Sequence, residues 1–212
     1  MAEELHRRGI ETVVPELADH PSGMAPFWEQ HARSVVRALR TVSPARDVVL
    51  VGHSGAGPLL PAIASMADRP VSGYAFVDAG IPEEGASRLD LLRRELPEMA
   101  EQLQQHLEAG GRFPEWTEKD LQDEIPLEGL RRGIVEQVRP RPLSFWTEPI
   151  PVPPEWPDAP CFYLRLSEAY RVPFDRAKHE GWKAREIEGT HFHMLAEPRA
   201  VTDAVLDLIG HA

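Results

Sequence analysis

The sequence predicts an α/β fold, a mostly parallel sheet with helices on both faces. Short apolar runs alternate with helical patterns along the chain, and this alternation is typical of parallel strands joined by helices. The run Val48–Val51 is continuously apolar, as expected of a strand that is buried on both faces. A length of 212 residues with 42% hydrophobic residues allows one domain, 1–212, with a sizeable core.

The other elements follow from local patterns, taken in chain order. Prolines mark the least helical segment: Pro140–Pro160 holds eight of them, and proline lacks an amide donor, so an extended connection is expected there. The predicted strands are Ile10–Val14, Tyr74–Val77, Cys161–Leu166 and a weaker one at Arg185–Ile187. The predicted helical stretches are Met1–Arg8, Pro26–Leu39, Leu59–Met66, Leu89–Leu107, Arg176–Gly181 (capped by Asp175) and Ala200–Ile209.

Charge and composition exclude several classes of partner. The formal net charge is -11 and no basic stripe is visible, which argues against a nucleic-acid binder. No apolar run approaches the roughly 20 residues that span a bilayer, and the first residues carry no secretory signal, so no membrane partner and a cytoplasmic location are expected. Cys161 is the single cysteine, so no internal disulfide is possible and a buried core thiol is expected.

The sharpest motif is the segment 48–57, in which a strand feeds a tight turn and then a helix. Small residues at 52, 55 and 56 let the turn close with Ser54 at its apex. This segment resembles the nucleophile elbow of α/β-hydrolases, with Ala56 standing where the usual pattern has glycine. The resemblance implies that Ser54 is the nucleophile and that the Gly55 amide faces a developing oxyanion.

The alternative interpretation is a glycine-rich turn that binds phosphate or has no function. A phosphate-binding P-loop would need Lys-Ser or Lys-Thr after the glycines, whereas Pro58 and Leu59 follow here. The glycines at 52, 55 and 57 do not fit the dinucleotide fingerprint either. Since no zinc-type spacing of Cys and His appears, we expect neither a cofactor nor a metal.

A histidine loop stands near the C-terminus. The segment 189–198, Gly-Thr-His-Phe-His-Met-Leu-Ala-Glu-Pro, resembles the loop that carries the general base in α/β-hydrolases. The resemblance implies that His191 is the base, and His193 is the alternative. The order of serine, acid and then histidine also matches this family.

Two carboxylates compete for the role of the acid, which orients the histidine. In most relatives the acid follows the strand before the histidine strand, but here Ala169 aligns with the usual aspartate, beside Glu168. Asp78 follows the strand after the elbow, where some α/β-hydrolases carry their acid. It could also merely cap the following loop. Asp78 is favoured narrowly, with Glu168 as the alternative.

The resemblance covers most of the chain and omits about the first three strands of the fold, including the loop that gives a second oxyanion donor. Two explanations are open: a truncated product with weak or no hydrolysis, or a natural minimal version with a rebuilt oxyanion site. An uncovered edge strand invites pairing, so a homodimer that covers the exposed sheet edge is a further expectation.

The insertion at about 83–158 is expected to form a cap over the site, as in relatives. It carries most of the aromatic residues, which suggests a largely apolar pocket, although most of them must pack the cap. Trp116 and Trp146, together with His53 beside the nucleophile, are the predicted substrate-binding residues. An acidic group in the insertion is expected to be a solvated face: Glu118, Asp120, Asp123 and Glu124.

The sequence therefore predicts a serine hydrolase that acts through an acyl-enzyme on a small, mostly apolar ester, amide or lactone. One alternative is a non-hydrolytic relative, such as a lyase, epimerase or cyclase, that uses the same pocket. The other is a catalytically inactive binding protein, because this scaffold carries many functions.

Overall fold

A four-stranded parallel sheet and ten α-helices make up the described part of the chain, residues 1–19 and 26–210 of the computed structural model. The strands are β1 Val49–Ser54, β2 Gly73–Ala79, β3 Cys161–Arg165 and β4 Lys183–Glu186. The helices are α1 Ala2–Arg7, α2 Phe27–Leu39, α3 Leu60–Met66, α4 Arg88–Glu95, α5 Pro97–Glu108, α6 Glu128–Gln137, α7 Leu143–Thr147, α8 Arg171–His179, α9 His193–Ala196 and α10 Pro198–Ile209.

The strands lie in the order β1-β2-β3-β4, and every pair is parallel. Successive residues of β2 face opposite sides, and all seven are buried because helices cover both faces of the sheet. Tyr74 and Phe76 pack on one side, while Ala75 and Val77 pack on the other. The fold class predicted from the sequence is thereby confirmed.

Each face of the sheet has its own helical layer. The side of Tyr74 and Phe76 packs against apolar residues of α2, α3 and α8, and the other side packs mainly against α10. Cys161 is buried on the first side, as predicted, and burial raises the pKa of its thiol to about 12. In residues 1–19 and 26–210 no helix combines the length and hydropathy that crossing a membrane requires.

Prolines set several helix boundaries that the sequence did not predict. The helical stretch 89–107 is two helices, since Pro97 begins α5 after Leu96 leaves the helical conformation. Helix α7 lies in the proline-rich segment, where no helix was expected. It forms there because it occupies the proline-free stretch between Pro142 and Pro149. The prediction that Asp175 caps a helix was wrong: α8 begins at Arg171, and Asp175 lies inside it.

The predicted strand at Ile10–Val14 was also wrong. These residues form neither helix nor strand, and the Val14 side chain is 74% exposed. A β-branched run favours extended structure, but a strand forms only where a neighbour supplies backbone hydrogen bonds. The described part of the chain offers this segment no such neighbour.

Strand β1 has one free edge among the described residues, because β2 is its single strand neighbour there. Val51, in the middle of β1, is 40% exposed. Unpaired backbone groups along an apolar edge can pair with another chain. That a second copy covers this edge stays a prediction.

Candidate active site

The turn after β1 holds Ser54 in a strained conformation. Its φ of 55° lies in the left-handed region, which non-glycine residues rarely adopt. The turn closes because Gly52 and Gly57 touch: a Cβ on Gly52 would lie 3.0 Å from the Gly57 Cα, and a Cβ on Gly57 would lie 2.6 Å from the Gly80 carbonyl oxygen. A Cβ on Gly55, in contrast, would meet nothing within 4 Å, whereas a Cβ on Gly52 would also lie 3.2 Å from the Ala56 carbonyl carbon, so Gly57 and the Ala56 backbone make the close contacts of the turn.

A β-bulge in β2 places Asp78 at the same edge of the sheet. Val77 pairs with His53 and Ala79 pairs with Ser54, so Asp78 is the extra residue between them. Its φ of 45° is also in the left-handed region. Bulges bend a strand and re-aim its side chains, and here the carboxylate turns toward the end of β3.

The Asp78 carboxylate is fully buried and accepts four hydrogen bonds. Oδ1 accepts from the amides of Leu166 at 2.8 Å and Ser167 at 3.0 Å. Oδ2 accepts from the Ser167 hydroxyl at 2.6 Å and from His191 Nδ1 at 2.8 Å. A buried carboxylate is stable only when such donors replace its hydration. Because the carboxylate only accepts, the His191 proton lies on Nδ1, and Nε2 is left as a base.

The backbone of His191 is held from both sides. His53 Nε2 donates to the His191 carbonyl at 3.0 Å, and the two rings stack at 4.4 Å. The His191 amide donates to the Glu124 carboxylate at 2.9 Å, and the Thr190 hydroxyl donates to the Glu124 carbonyl at 2.8 Å. Burial, reinforced by the nearby His191 ring, lowers the pKa of His53 to about 4, so His53 is neutral at physiological pH.

The Ser54 hydroxyl contacts a residue that the sequence did not single out. Its Oγ lies 3.1 Å from the Tyr170 phenol oxygen, and no hydrogen bond joins it to His191 within the residues that the structure describes. The Tyr170 ring stacks parallel to the His191 ring, with centroids 5.0 Å apart and planes inclined by 9°. Ser54, His191 and Tyr170 therefore form one contact group.

Glu168, the alternative acid, and His193, the alternative base, have other surroundings. Glu168 is 75% exposed and pairs with Arg165 at 2.8 Å and Arg171 at 3.1 Å. Arginine bonding lowers the pKa of this carboxyl, and its recorded hydrogen bonds do not include His191. His193 begins α9 with its ring packed on Gly189, where a Cβ would lie 2.5 Å from the ring.

The predicted substrate-binding residues occupy three different settings. His53 holds the His191 loop, as described above. Trp116 packs edge-on against Phe192, the residue after His191, at 5.6 Å, and so lies beside the site. Trp146 packs among the helices α4 and α5 against Phe113, and its indole nitrogen is buried without a partner in the described structure. Substrate contact by these three residues stays a prediction.

The sequence reasoning missed three residues of this site. Glu124 was assigned to a solvated face, which was wrong, because its carboxylate binds the His191 amide. Ser167 and Tyr170 flank the Ala169 position at which the resemblance led us to look for the acid. The one available signal for Ser167 and Tyr170 was their position just after a parallel strand, because the ends of such strands line the ligand-binding edge of a sheet.

Comparisons with known proteins identify the family of this chain. A family model described as "Alpha/beta hydrolase family" matches residues 1–204. A carbendazim hydrolyzing esterase from Nocardioides sp. (strain SG-4G) is 33% identical over 78 residues, which cover 37% of this chain and only 32% of the esterase.

Solved structures share the fold. An extracellular α/β-hydrolase from a Paenibacillus species superimposes with a TM-score of 0.76 at 21% identity, covering 98% of this chain and 90% of that chain. Its description gives it structural and functional homology to tobacco salicylic acid binding protein 2. Polyneuridine aldehyde esterase superimposes with a TM-score of 0.66 at 18% identity, covering 97% and 91%. This chain belongs to the alpha/beta hydrolase family.

Proposed function

We propose that the protein is a serine esterase that cleaves small, mostly apolar carboxylic esters through an acyl-enzyme. The observation that carries the proposal is the bond from His191 Nδ1 to the buried Asp78 carboxylate, at the sheet edge where the Ser54 elbow ends. This bond fixes the tautomer in which Nε2 accepts a proton, which is the form a serine nucleophile requires.

The first half of the reaction forms the acyl-enzyme. His191 Nε2 takes the hydroxyl proton of Ser54 while Oγ bonds to the ester carbonyl carbon and the carbonyl electron pair moves onto oxygen. The Gly55 amide, which has no recorded hydrogen-bond partner in the described residues, donates to that oxyanion. The intermediate then collapses, the carbon–alkoxide bond breaks, and His191 returns the proton to the departing alcohol.

The second half releases the acid. Water gives a proton to His191 Nε2 and bonds to the acyl carbon, and the resulting intermediate expels Ser54 Oγ, which recovers its proton from His191. In both halves Asp78 stabilises the imidazolium that forms. Its hydrogen bonds to Leu166, Ser167 and His191 hold this buried carboxylate in position.

The substrate class rests on the surroundings of His191 and on the relatives. Phe192 contacts the His191 and His53 rings, and Trp116 packs against Phe192 in turn. An aromatic wall with few polar groups suits an apolar acyl or alkoxy group. Esterase is also the activity that the names of two similar proteins carry.

The test is hydrolysis of p-nitrophenyl acetate and butyrate by the wild type and by Ser54→Ala. We expect Ser54→Ala to lose about 10⁴-fold or more in kcat, because the substitution removes the hydroxyl that carries the acyl group in the proposed mechanism. Ser65→Ala is the matched control: the Ser65 hydroxyl donates to the Ala62 carbonyl within α3, and the activity of this variant should equal that of the wild type. Equal turnover by wild type and Ser54→Ala would reject the serine mechanism, and no turnover by either would favour a non-hydrolytic or binding role.

A further inference from the structure

Tyr170 is the one side chain whose hydrogen bond to the proposed nucleophile the structure records. It ends the short 3-10 turn Glu168–Tyr170 that follows β3, and its phenol oxygen lies 3.1 Å from Ser54 Oγ. Its ring lies flat against His191, with centroids 5.0 Å apart. Turn and ring stacking together fix the position of the phenol oxygen beside the reacting atom.

Either oxygen can donate in the resting contact between Ser54 and Tyr170, and the attack step fixes the direction. His191 Nδ1 is committed to Asp78, so Nε2 is the basic atom that takes the Ser54 proton during attack. Once Ser54 has given up its proton, the Tyr170 phenol is the group in this contact that still has a hydrogen to donate, so Tyr170 is the donor during attack. Burial raises the pKa of the Tyr170 phenol above its ordinary value, and the phenol therefore stays protonated through the physiological range.

We propose that Tyr170 is a catalytic residue whose hydroxyl donates a hydrogen bond to the oxyanion of the tetrahedral intermediates, beside the Gly55 amide. This inference rests on the proposed esterase function. In the adduct, Ser54 Oγ and the oxyanion are bonded to the same carbon. A donor already within hydrogen-bond distance of Oγ reaches the oxyanion through a small rotation of its O–H bond.

No proton is transferred to or from Tyr170 in this step. The carbonyl electron pair moves onto oxygen as Oγ bonds to carbon, and Tyr170 keeps its proton and strengthens its hydrogen bond as charge develops. Interactions that strengthen only in the transition state raise kcat and leave ground-state binding nearly unchanged. A contact that merely occludes Ser54 would have the opposite consequence, since its removal would speed attack.

The substitution Tyr170→Phe separates these roles because it removes the donor and keeps the ring that stacks on His191. We expect kcat for p-nitrophenyl butyrate to fall about 10²-fold to 10³-fold, the usual loss for one oxyanion donor, with KM within about twofold. Tyr74→Phe is the matched control. The Tyr74 hydroxyl bonds Asp158 near the opposite end of β2, so this variant should keep wild-type kinetics.

A second readout follows phosphorylation of Ser54 by diethyl p-nitrophenyl phosphate, whose phosphoryl oxygen takes the place of the oxyanion. The rate of inactivation should fall in Tyr170→Phe in the same proportion as kcat, and thermal unfolding should show that both variants fold. A crystal structure of the wild-type adduct should place the phosphoryl oxygen within hydrogen-bond distance of the Tyr170 phenol oxygen.

The outcomes separate the two proposals. If the wild type hydrolyses the ester, Ser54→Ala does not, and Tyr170→Phe equals or exceeds the wild type, the role of Tyr170 is overturned and the esterase function stands. If the wild type shows no hydrolysis above Ser54→Ala, both proposals fail. A loss of kcat confined to Tyr170→Phe, with slower phosphorylation, supports the oxyanion role.

Discussion

Two carboxylates follow neighbouring strands of one sheet and have opposite surroundings. Asp78 at the end of β2 is fully buried and bonded by two amides, one hydroxyl and one imidazole. Glu168, just after β3, is 75% exposed and bonded by Arg165 and Arg171. The sequence placed both at the functional edge and favoured Asp78 only narrowly.

The difference teaches that strand position alone does not identify a catalytic acid. A carboxylate that lies among neutral donors keeps its negative charge available to an imidazolium, whereas one that is neutralised by two guanidinium groups does not. Burial also fixes Asp78 against competition from water, while surface ion pairs are weak and screened by salt. We therefore assign the acid to Asp78 in the proposed mechanism.

The largest expected effect comes from breaking the Asp78–His191 bond. Asp78→Asn keeps the shape of the side chain but presents an amide that favours the wrong histidine tautomer, and we expect kcat to fall about 10⁴-fold. Glu168→Gln is the matched control at the neighbouring strand end and should stay within about twofold of the wild type. Steady-state ester hydrolysis measures both. A large loss in Glu168→Gln with an active Asp78→Asn would reverse the assignment.

A third carboxylate sharpens the comparison, because Glu95 of α4 is largely buried without recorded hydrogen bonds in the described residues. Burial raises the pKa of Glu95 to about 7. The folded-state pKa therefore lies above the unfolded value, so the stability that the protonated form provides is present below about pH 4.5 and is lost as pH rises to about 7.

Glu95→Gln removes this titration. We expect the free energy of unfolding of the variant to exceed that of the wild type by about 1–3 kcal/mol at pH 8. At pH 4 the two free energies of unfolding should be nearly equal. Urea denaturation at the two pH values measures the difference. The same advantage at both pH values would show that ionisation of Glu95 does not cause it.

The smallest expected effect concerns Glu124, which holds the histidine loop from the cap segment. Glu124→Ala leaves the His191 amide without its acceptor, and a displaced base should lower kcat about 10-fold with little change in KM. Glu124→Gln retains an acceptor oxygen and should restore most of the activity. Glu118→Ala, an exposed residue that pairs with Arg132, is the control and should have no effect. If Glu124→Gln is as impaired as Glu124→Ala, the carboxylate charge matters rather than the positioning bond.

Much of the fold could be predicted because its signals are local. The continuous apolar runs of β1 to β3 and the stripe of α10 follow from residue type and spacing alone. The segment 10–14 has the composition of a strand but has no strand neighbour among residues 1–19 and 26–210, and no local pattern reports this. The helix boundary at Leu96 arises because Pro97 starts a new helix. The boundary at Arg171 depends on the short 3-10 turn that leads into α8.

In the candidate site, too, some residues carry local signals and others are brought in only by the fold. Ser54, Asp78 and His191 could be singled out because each stands in a motif of a few residues at the end of a strand or in a loop. The contacts of Tyr170 with Ser54 and of Glu124 with His191 join positions 116 and 67 residues apart, and they arise only when the fold is closed. The sequence therefore indicated the proposed triad but not the side chains that hold it.

The central claim is that Ser54, activated by His191, is the nucleophile. A fluorophosphonate probe followed by intact-mass and peptide mass spectrometry tests it most directly. The account predicts one adduct on the peptide that contains Ser54, much slower labelling of His191→Ala, and none of Ser54→Ala. Labelling that survives in Ser54→Ala, or an adduct on another residue of the wild type, would contradict it.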